Sequence, residues 1–347
     1  MSLSSYVQAM PKVDLHVSLE GAVRKKTLKL IADINEIPES LKHFSDWLGL
    51  IDKPDYKRLH EIIRVIGAWV VETEDLTRVV YDVGTALHNE NVRYAEVSIN
   101  PVVWSALALS ADDFLAAIND GRERAERAWG IRMAWIFTVP RDEPRRADEL
   151  SRWVTSALAK KGGVIAIGLS GRESAQPVGQ FERPFKTVEK KGMPRVVRAG
   201  DQQGADGVQK ALEVLSPNRI LDGWGIVDSP ELVTAIANAR VGIGINLTRA
   251  VASGWVERVE DYPLRQLYDA DVPVFLGSDM PLFYHSGLSN EYLLAVEKAG
   301  LAVDELEQVA LNAVRQSFLD ESEKTAMLEE FQAAYATLRA ENQVTEA

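Results

Sequence analysis

The chain has 347 residues, a net charge of −12, 46% hydrophobic and 26% charged residues, and no cysteine. It therefore offers no disulfide framework, thiolate nucleophile or cysteine-held metal, and its dispersed basic residues under an excess of acid argue against a nucleic-acid partner. No run of 18 apolar residues and no secretory leader stands out, so the expected setting is the cytoplasm, with a small-molecule ligand and no membrane partner.

Read in order, the chain alternates between short apolar runs and longer amphipathic stretches. Eight runs read as strands, at 13–17, 92–99, 131–139, 164–169, 195–199, 219–222, 241–247 and 272–277. Each is followed by polar, Gly or Pro residues. Helical spacing marks 76–89, 111–129, 143–160, 204–215, 230–239 and 263–270, with cap residues such as Ser110 and Ser229 ahead of two of them. Eight such alternations predict an α/β fold, a (β/α)8 TIM barrel whose strands are covered on both faces. A helical insertion at 24–91 after the first strand predicts a lid or pocket wall, and 303–318 and 321–341 predict two closing C-terminal helices. No linker or repeat interrupts the pattern, so one domain over 1–347 is expected.

In such a barrel the chemistry sits at the C-terminal ends of the strands. The residues collected there are His16 and Ser18, Glu96 and Ser98, Gly171-Arg-Glu, Arg198-Ala-Gly-Asp201, Asp222, Asn246 and Ser278-Asp-Met-Pro281. His16 and Ser18 share a face of the first strand. His43, His60 and His88 fall on helical segments and are expected on solvated faces. His285, six residues after Asp279, is expected at a loop tip.

Taken with Met10-Pro-Lys-Val-Asp-Leu-His, Leu19-Glu-Gly-Ala, Arg219-Ile-Leu-Asp-Gly and Ala313-Val-Arg-Gln-Ser-Phe, this ordered set resembles the adenosine deaminase family of the amidohydrolase superfamily along almost the whole chain. The resemblance implies a zinc ion held by a His-x-His pair on strand one, a histidine ending strand five and an aspartate ending strand eight. It further implies a glutamate proton shuttle, a strand-six histidine orienting the hydroxide, an aspartate meeting the purine, and a substrate-loop glycine. Here His16 and Asp279 match two ligands, but Ser18 and Arg198 stand at the other two. Asp201 replaces the shuttle, Asp222 the strand-six histidine and Met280 the purine-contacting aspartate, while Gly171 matches the loop glycine.

A guanidinium cannot ligate a metal, so the matched residues lead to the expectation of no bound metal and no cofactor, with Arg198 as the positive centre among Asp201, Asp222 and Asp279. Three functional readings follow. The first, which the missing ligands favour, is a metal-free pseudoenzyme that binds a nucleoside-like or other small molecule through Ser18, Gly171, Arg198 and Met280. The second is a remodelled enzyme using His16 with Asp201, Asp222 and Asp279 as acid and base, and the third a retained metal-dependent deaminase or hydrolase. The competing structural reading of the charged cluster is a buried ion network that serves folding alone.

Overall fold

Strand and helix alternate eight times, and each strand pairs in parallel with the one before it. The structure, a computed structural model, describes residues 2–342. In order the strands are β1 (Lys12–Ser18), β2 (Val92–Ile99), β3 (Arg132–Pro140), β4 (Val164–Ser170), β5 (Arg195–Arg198), β6 (Arg219–Leu221), β7 (Gly242–Ile245) and β8 (Val274–Leu276). They are almost wholly buried, as continuous apolar runs covered by helices outside and side chains inside require. The fold is the predicted (β/α)8 barrel, and the strand positions agree with those read from the sequence to within a few residues.

The barrel closes at a seam that also builds the site. A bridge joins Val17 to Asp279; the Asp279 N–H donates to the His16 carbonyl at 2.6 Å, and the Ser18 N–H to the Asp279 carbonyl at 2.8 Å. Beneath them the buried Asp14 carboxylate accepts from the Ser278 hydroxyl at 2.6 Å. A Cβ on Gly277 would lie 2.3 Å from the Cβ of His16, so only glycine lets the two strands approach this closely.

The segment after β1 forms the helices Lys25–Ile34, Ile37–Ser40, Phe44–Asp52 and Leu59–Gly67, with a 3-10 turn at Tyr56–Arg58, before Thr73–Asn89 returns along the barrel wall. Tyr56 fastens this insertion to the mouth. Its hydroxyl donates to the Phe283 carbonyl at 3.2 Å, and its ring stacks on Tyr284 at 5.7 Å. The closing helices are Val303–Gln316 and Glu321–Asn342. Among the described residues no helix is long and apolar enough to cross a membrane.

One predicted helix needs correction, and several helices have no counterpart in the predicted pattern. The stretch 143–160 is a 3-10 turn and two short helices, Ala147–Val154 and Ala157–Lys161. The break has a local cause: Ser156 caps the second helix by accepting from the Ala159 N–H at 3.1 Å, while Thr155 bonds back to the Ser151 carbonyl at 3.0 Å. A helix at Glu182–Glu189 went unread because Pro184 sits in it, near the start, where a missing N–H costs little. Phe185 and Val188 bury its inner face.

Candidate active site

β1, β5, β6 and β8 deliver His16, Arg198, Asp222 and Asp279 to one point at the C-terminal end of the barrel, and all four are buried. Asp222 and Asp279 lie just past their strands with φ of 62° and 50°, a left-handed backbone that aspartate tolerates better than most residues. Such conformations cost on the order of 1–3 kcal/mol each and concentrate at sites where a side chain must be aimed.

Arg198 is the hub. Its Nη1 donates to Asp222, its Nη2 donates to Asp279 Oδ1 at 3.1 Å, and the same Nη2 stands 3.0 Å from His16 Nε2. Because a guanidinium only donates, Nε2 is the acceptor and the ring proton belongs on Nδ1. That Nδ1 is buried and bonds to no protein atom. Ser18 Oγ lies 3.4 Å from Asp279 Oδ1.

A second arginine, Arg249, reaches the same carboxylates from the opposite side. Asn246 ends β7 and caps the helix Leu247–Ala252, accepting from the Arg249 N–H at 2.6 Å. From there the Arg249 side chain contacts Asp279 at 2.7 Å, Asp222 at 3.5 Å and Asp201 at 3.9 Å, with Trp255 flanking its guanidinium at 5.1 Å. Burial alone would raise the Asp279 carboxyl, but Arg198 and Arg249 outweigh it and hold the group well below the usual carboxylate range.

Asp201 behaves in the opposite way. Burial, the neighbouring Asp222 charge and the Glu173 carboxylate push it up to about 7, against the pull of Arg249. Glu173 comes from the loop after β4 and accepts from the N–H groups of Gln202 and Gln203, each at 2.9 Å. Burial works against its ionisation, but the Asp201 hydrogen bond and these backbone donors hold its carboxyl below the usual value. The two carboxyl groups thus share a proton that resides on Asp201. Asp222 Oδ1 is a further buried acceptor with no donor from the protein.

This cluster floors a cleft of about 220 Å³ lined by Ser18, Gly171, Arg198, Asp201, Arg249 and Met280, with the insertion closing one side. Gly171 has φ 87°, a conformation that calls for glycine, and lines the cleft. Glu20 also faces it, its carboxyl pushed up to about 7 chiefly by burial.

Other expectations moved. Glu96 is not at the mouth: it lies within β2 and pairs with Arg219, the first residue of β6, towards the opposite end. His60 lies on a helix as read but lines the cleft. His285 is exposed in a loop, where it was expected, its Nε2 3.0 Å from the Asp52 carbonyl. Arg249 and Glu173 carry no role in the sequence reading. The available signal was a cation one helical turn beyond the end of β7, and an acid two residues beyond the loop glycine.

Fold and cleft define a (β/α)8 barrel with a charged site at the C-terminal ends of its strands. The family model described as adenosine deaminase matches residues 11–334, and the chain belongs to that family. It is 28% identical to the aminodeoxyfutalosine deaminase of Streptomyces coelicolor, over 94% of this chain and 85% of that protein. Its fold matches an amidohydrolase from Burkholderia ambifaria solved with bound Zn, at TM-score 0.86 and 24% identity, over 98% of this chain and 96% of that one. It also matches the adenine deaminase of Arthrobacter aurescens, at TM-score 0.85 and 21% identity, over 94% and 99%.

These findings correct two expectations. A metal-free pseudoenzyme is not supported, because the family and the relatives are named for deamination; nor is the expectation of no cofactor, because a structural neighbour holds zinc. The donor set here nevertheless differs from the zinc ligands that the resemblance implies. The Nε2 lone pair of His16 faces Arg198, and Asp279 is engaged by two guanidinium groups. In this arrangement the residues do not fit a zinc ion.

Proposed function

We propose that the chain is a hydrolase of the deaminase type, which releases ammonia from an amino-substituted, purine-like heterocycle bound as a small molecule in the barrel-mouth cleft. The observation that carries this is the Asp201–Glu173 pair: a buried carboxylic acid that keeps its proton up to about pH 7 and lines the cleft. Hydrolytic deamination needs such a group, because a ring nitrogen must gain a proton as water adds to the carbon bearing the amine, and ammonia must leave protonated. Asp201 gives its proton to the ring nitrogen, recovers one from the adding water, passes it to the amine that leaves as ammonia, and takes back the hydroxyl proton as the carbonyl forms. Arg198 and Arg249 keep Asp279 ionised and provide fixed positive charge where negative charge develops. The class of reaction is supported by the family and the relatives' names, the choice of residues by geometry.

The test is ammonia release from adenine, adenosine and aminodeoxyfutalosine, with and without added zinc. Release from at least one of them, lost in Asp201→Asn, is expected. A folded, monodisperse protein that releases none from any of the three under either condition would overturn the reading.

A further inference from the structure

Between β1, the helix Thr73–Asn89 and the start of the helix Leu288–Glu297 lies a second cleft, of about 270 Å³, which shares no lining residue with the catalytic cleft. Val17, Val83, Leu87, Leu282 and Leu288 make its walls apolar. Its charges do not balance. Arg24 and Lys25 line it, but Arg24 is engaged by Asp82 and Lys25 by Asp52 at 2.6 Å, while His285 is tied to the Asp52 carbonyl. Two lining carboxyl groups form no ion pair among the described residues, Asp14 and Glu90. Asp14 is fully buried and already accepts from the Ser278 hydroxyl and the His16 N–H. Glu90 is half-buried; one of its oxygens accepts from the Ser289 N–H at 2.9 Å, and the other has no donor among the described residues. The cation whose field reaches Glu90, Lys12, is itself buried and donates to the Val7 and Met10 carbonyls. The Ser289 hydroxyl, on the residue that meets Glu90, is buried with no protein partner.

We propose that this second cleft binds a small primary amine with an apolar body, aryl or short alkyl, whose ammonium group pairs with the free oxygen of Glu90 and donates to the Ser289 hydroxyl. The body lies on the valine and leucine walls. An ammonium ion carries three donors and no acceptor, which is what an uncompensated carboxylate and an unpartnered hydroxyl lack. A carboxylate ligand would instead meet two carboxyl groups and no free cation. Space is sufficient: an apolar cavity of about 150 Å³ takes up benzene, so this one admits a phenyl ring with a two-carbon tail. The site stands whether or not the catalytic cleft deaminates.

Calorimetry of the full chain at neutral pH with phenethylamine, phenethyl alcohol and hydrocinnamate tests the assignment, because the three share a ring and differ in the charge of the tail. The amine is expected to bind about tenfold or more tightly than the alcohol, as a charge-assisted hydrogen bond exceeds a neutral one, and hydrocinnamate is expected not to bind. Glu90→Gln keeps an acceptor for the Ser289 N–H and removes the charge, so it should bring the amine down to the level of the alcohol. Ala86→Phe, on the partly exposed wall of the cleft, should weaken amine and alcohol alike. Asp201→Asn, in the catalytic cleft, should leave amine binding as it is. The melting temperature of each variant establishes that it is folded. Equal binding of amine and alcohol, amine binding that survives both Glu90→Gln and Ala86→Phe, or its loss in Asp201→Asn would overturn the inference. So would the absence of amine binding up to about 10 mM.

Discussion

The barrel buries arginine–carboxylate clusters towards both ends, and they differ in what they leave unsatisfied. Towards the N-terminal end, Arg219 and Glu96 are both fully buried. Glu96 also accepts from the Tyr94 hydroxyl at 3.2 Å and the Phe318 N–H at 2.6 Å, while Phe318 covers the guanidinium at 3.9 Å. Only Arg219 Nε lacks a partner. At the mouth, two arginines meet three aspartates, and His16 Nδ1, Asp201 Oδ1 and Asp222 Oδ1 have no protein donor or acceptor, with Asp201 itself lining the cleft. Buried polar atoms left unpaired are costly. Their concentration beneath an opening is the mark of a cluster built to meet a ligand, whereas the other is built to close a core.

The sharpest way to break this distinction is Asp201→Asn. Losing a positioned acid is worth about 10²–10⁴-fold in rate, so ammonia release should fall by that much while the thermal midpoint holds. It should hold because Asp201 is already protonated up to about pH 7 and the amide imitates the acid. The sign can be checked by titration. A carboxyl raised from its unfolded value near 4 to about 7 binds a proton more tightly when folded, so its contribution to stability declines as pH rises through that window. The variant should lose that decline. Unchanged turnover would show that Asp201 is not the acid.

The converse test is Glu96→Gln, which leaves the Arg219 charge buried and unpaired. Removing one partner of a buried pair costs roughly 3–5 kcal/mol, readable as a lowered denaturation midpoint, and the molecules that remain folded should keep the parent kcat. A stable Glu96→Gln with altered kcat would erase the contrast between the two ends.

The two clusters also differ in how legible they were in the sequence. The strands were readable because each is a short apolar run bounded by polar residues, and once eight are in register the strand ends locate His16, Arg198, Asp222 and Asp279. The sequence did not show where along a strand a side chain sits relative to the ends. Glu96 has three more strand residues after it and so belongs below the mouth. Nor could it show convergence from elements far apart in the chain: Arg249 meets Asp201, and Glu173 accepts from the backbone of Gln202 and Gln203 beside Asp201, only once the barrel has closed. Counting zinc ligands by position led to the expectation of lost activity, because that count weighs what was replaced and is blind to the acid pair and second arginine that accompany the replacement.

Arg198→Ala probes the mouth cluster as a structural element. Asp279 would lose one of its two guanidinium partners, and the destabilisation should be about 3 kcal/mol at pH 7, detectable by urea denaturation. Because Arg198 helps to depress the folded pKa of Asp279, its contribution is complete above the unfolded carboxylate value and fades as pH falls below about 4 through the folded value. Parent and variant should therefore converge in acid. A variant as stable as the parent at pH 7 would mean that Arg249 alone neutralises the aspartates.

The smallest expected effect is a gain. The family's ligand pattern differs from this chain at Ser18 and Arg198, both of which lie beside Asp279, while His16 Nε2 is within 3.0 Å of the Arg198 guanidinium. Ser18→His together with Arg198→His should free that lone pair and provide three imidazoles and one carboxylate, the donor number that tetrahedral zinc takes. Arg198→His alone leaves the set one donor short. Binding to the folded state stabilises by about 2.7 kcal/mol when free metal is at 100 times its Kd, so the double variant should show a zinc-dependent rise in melting temperature larger than that of the parent or of either single variant. Equal responses in all four proteins would show that the strand ends do not converge closely enough to share an ion, and would separate this mouth geometrically from that of its zinc-holding relatives.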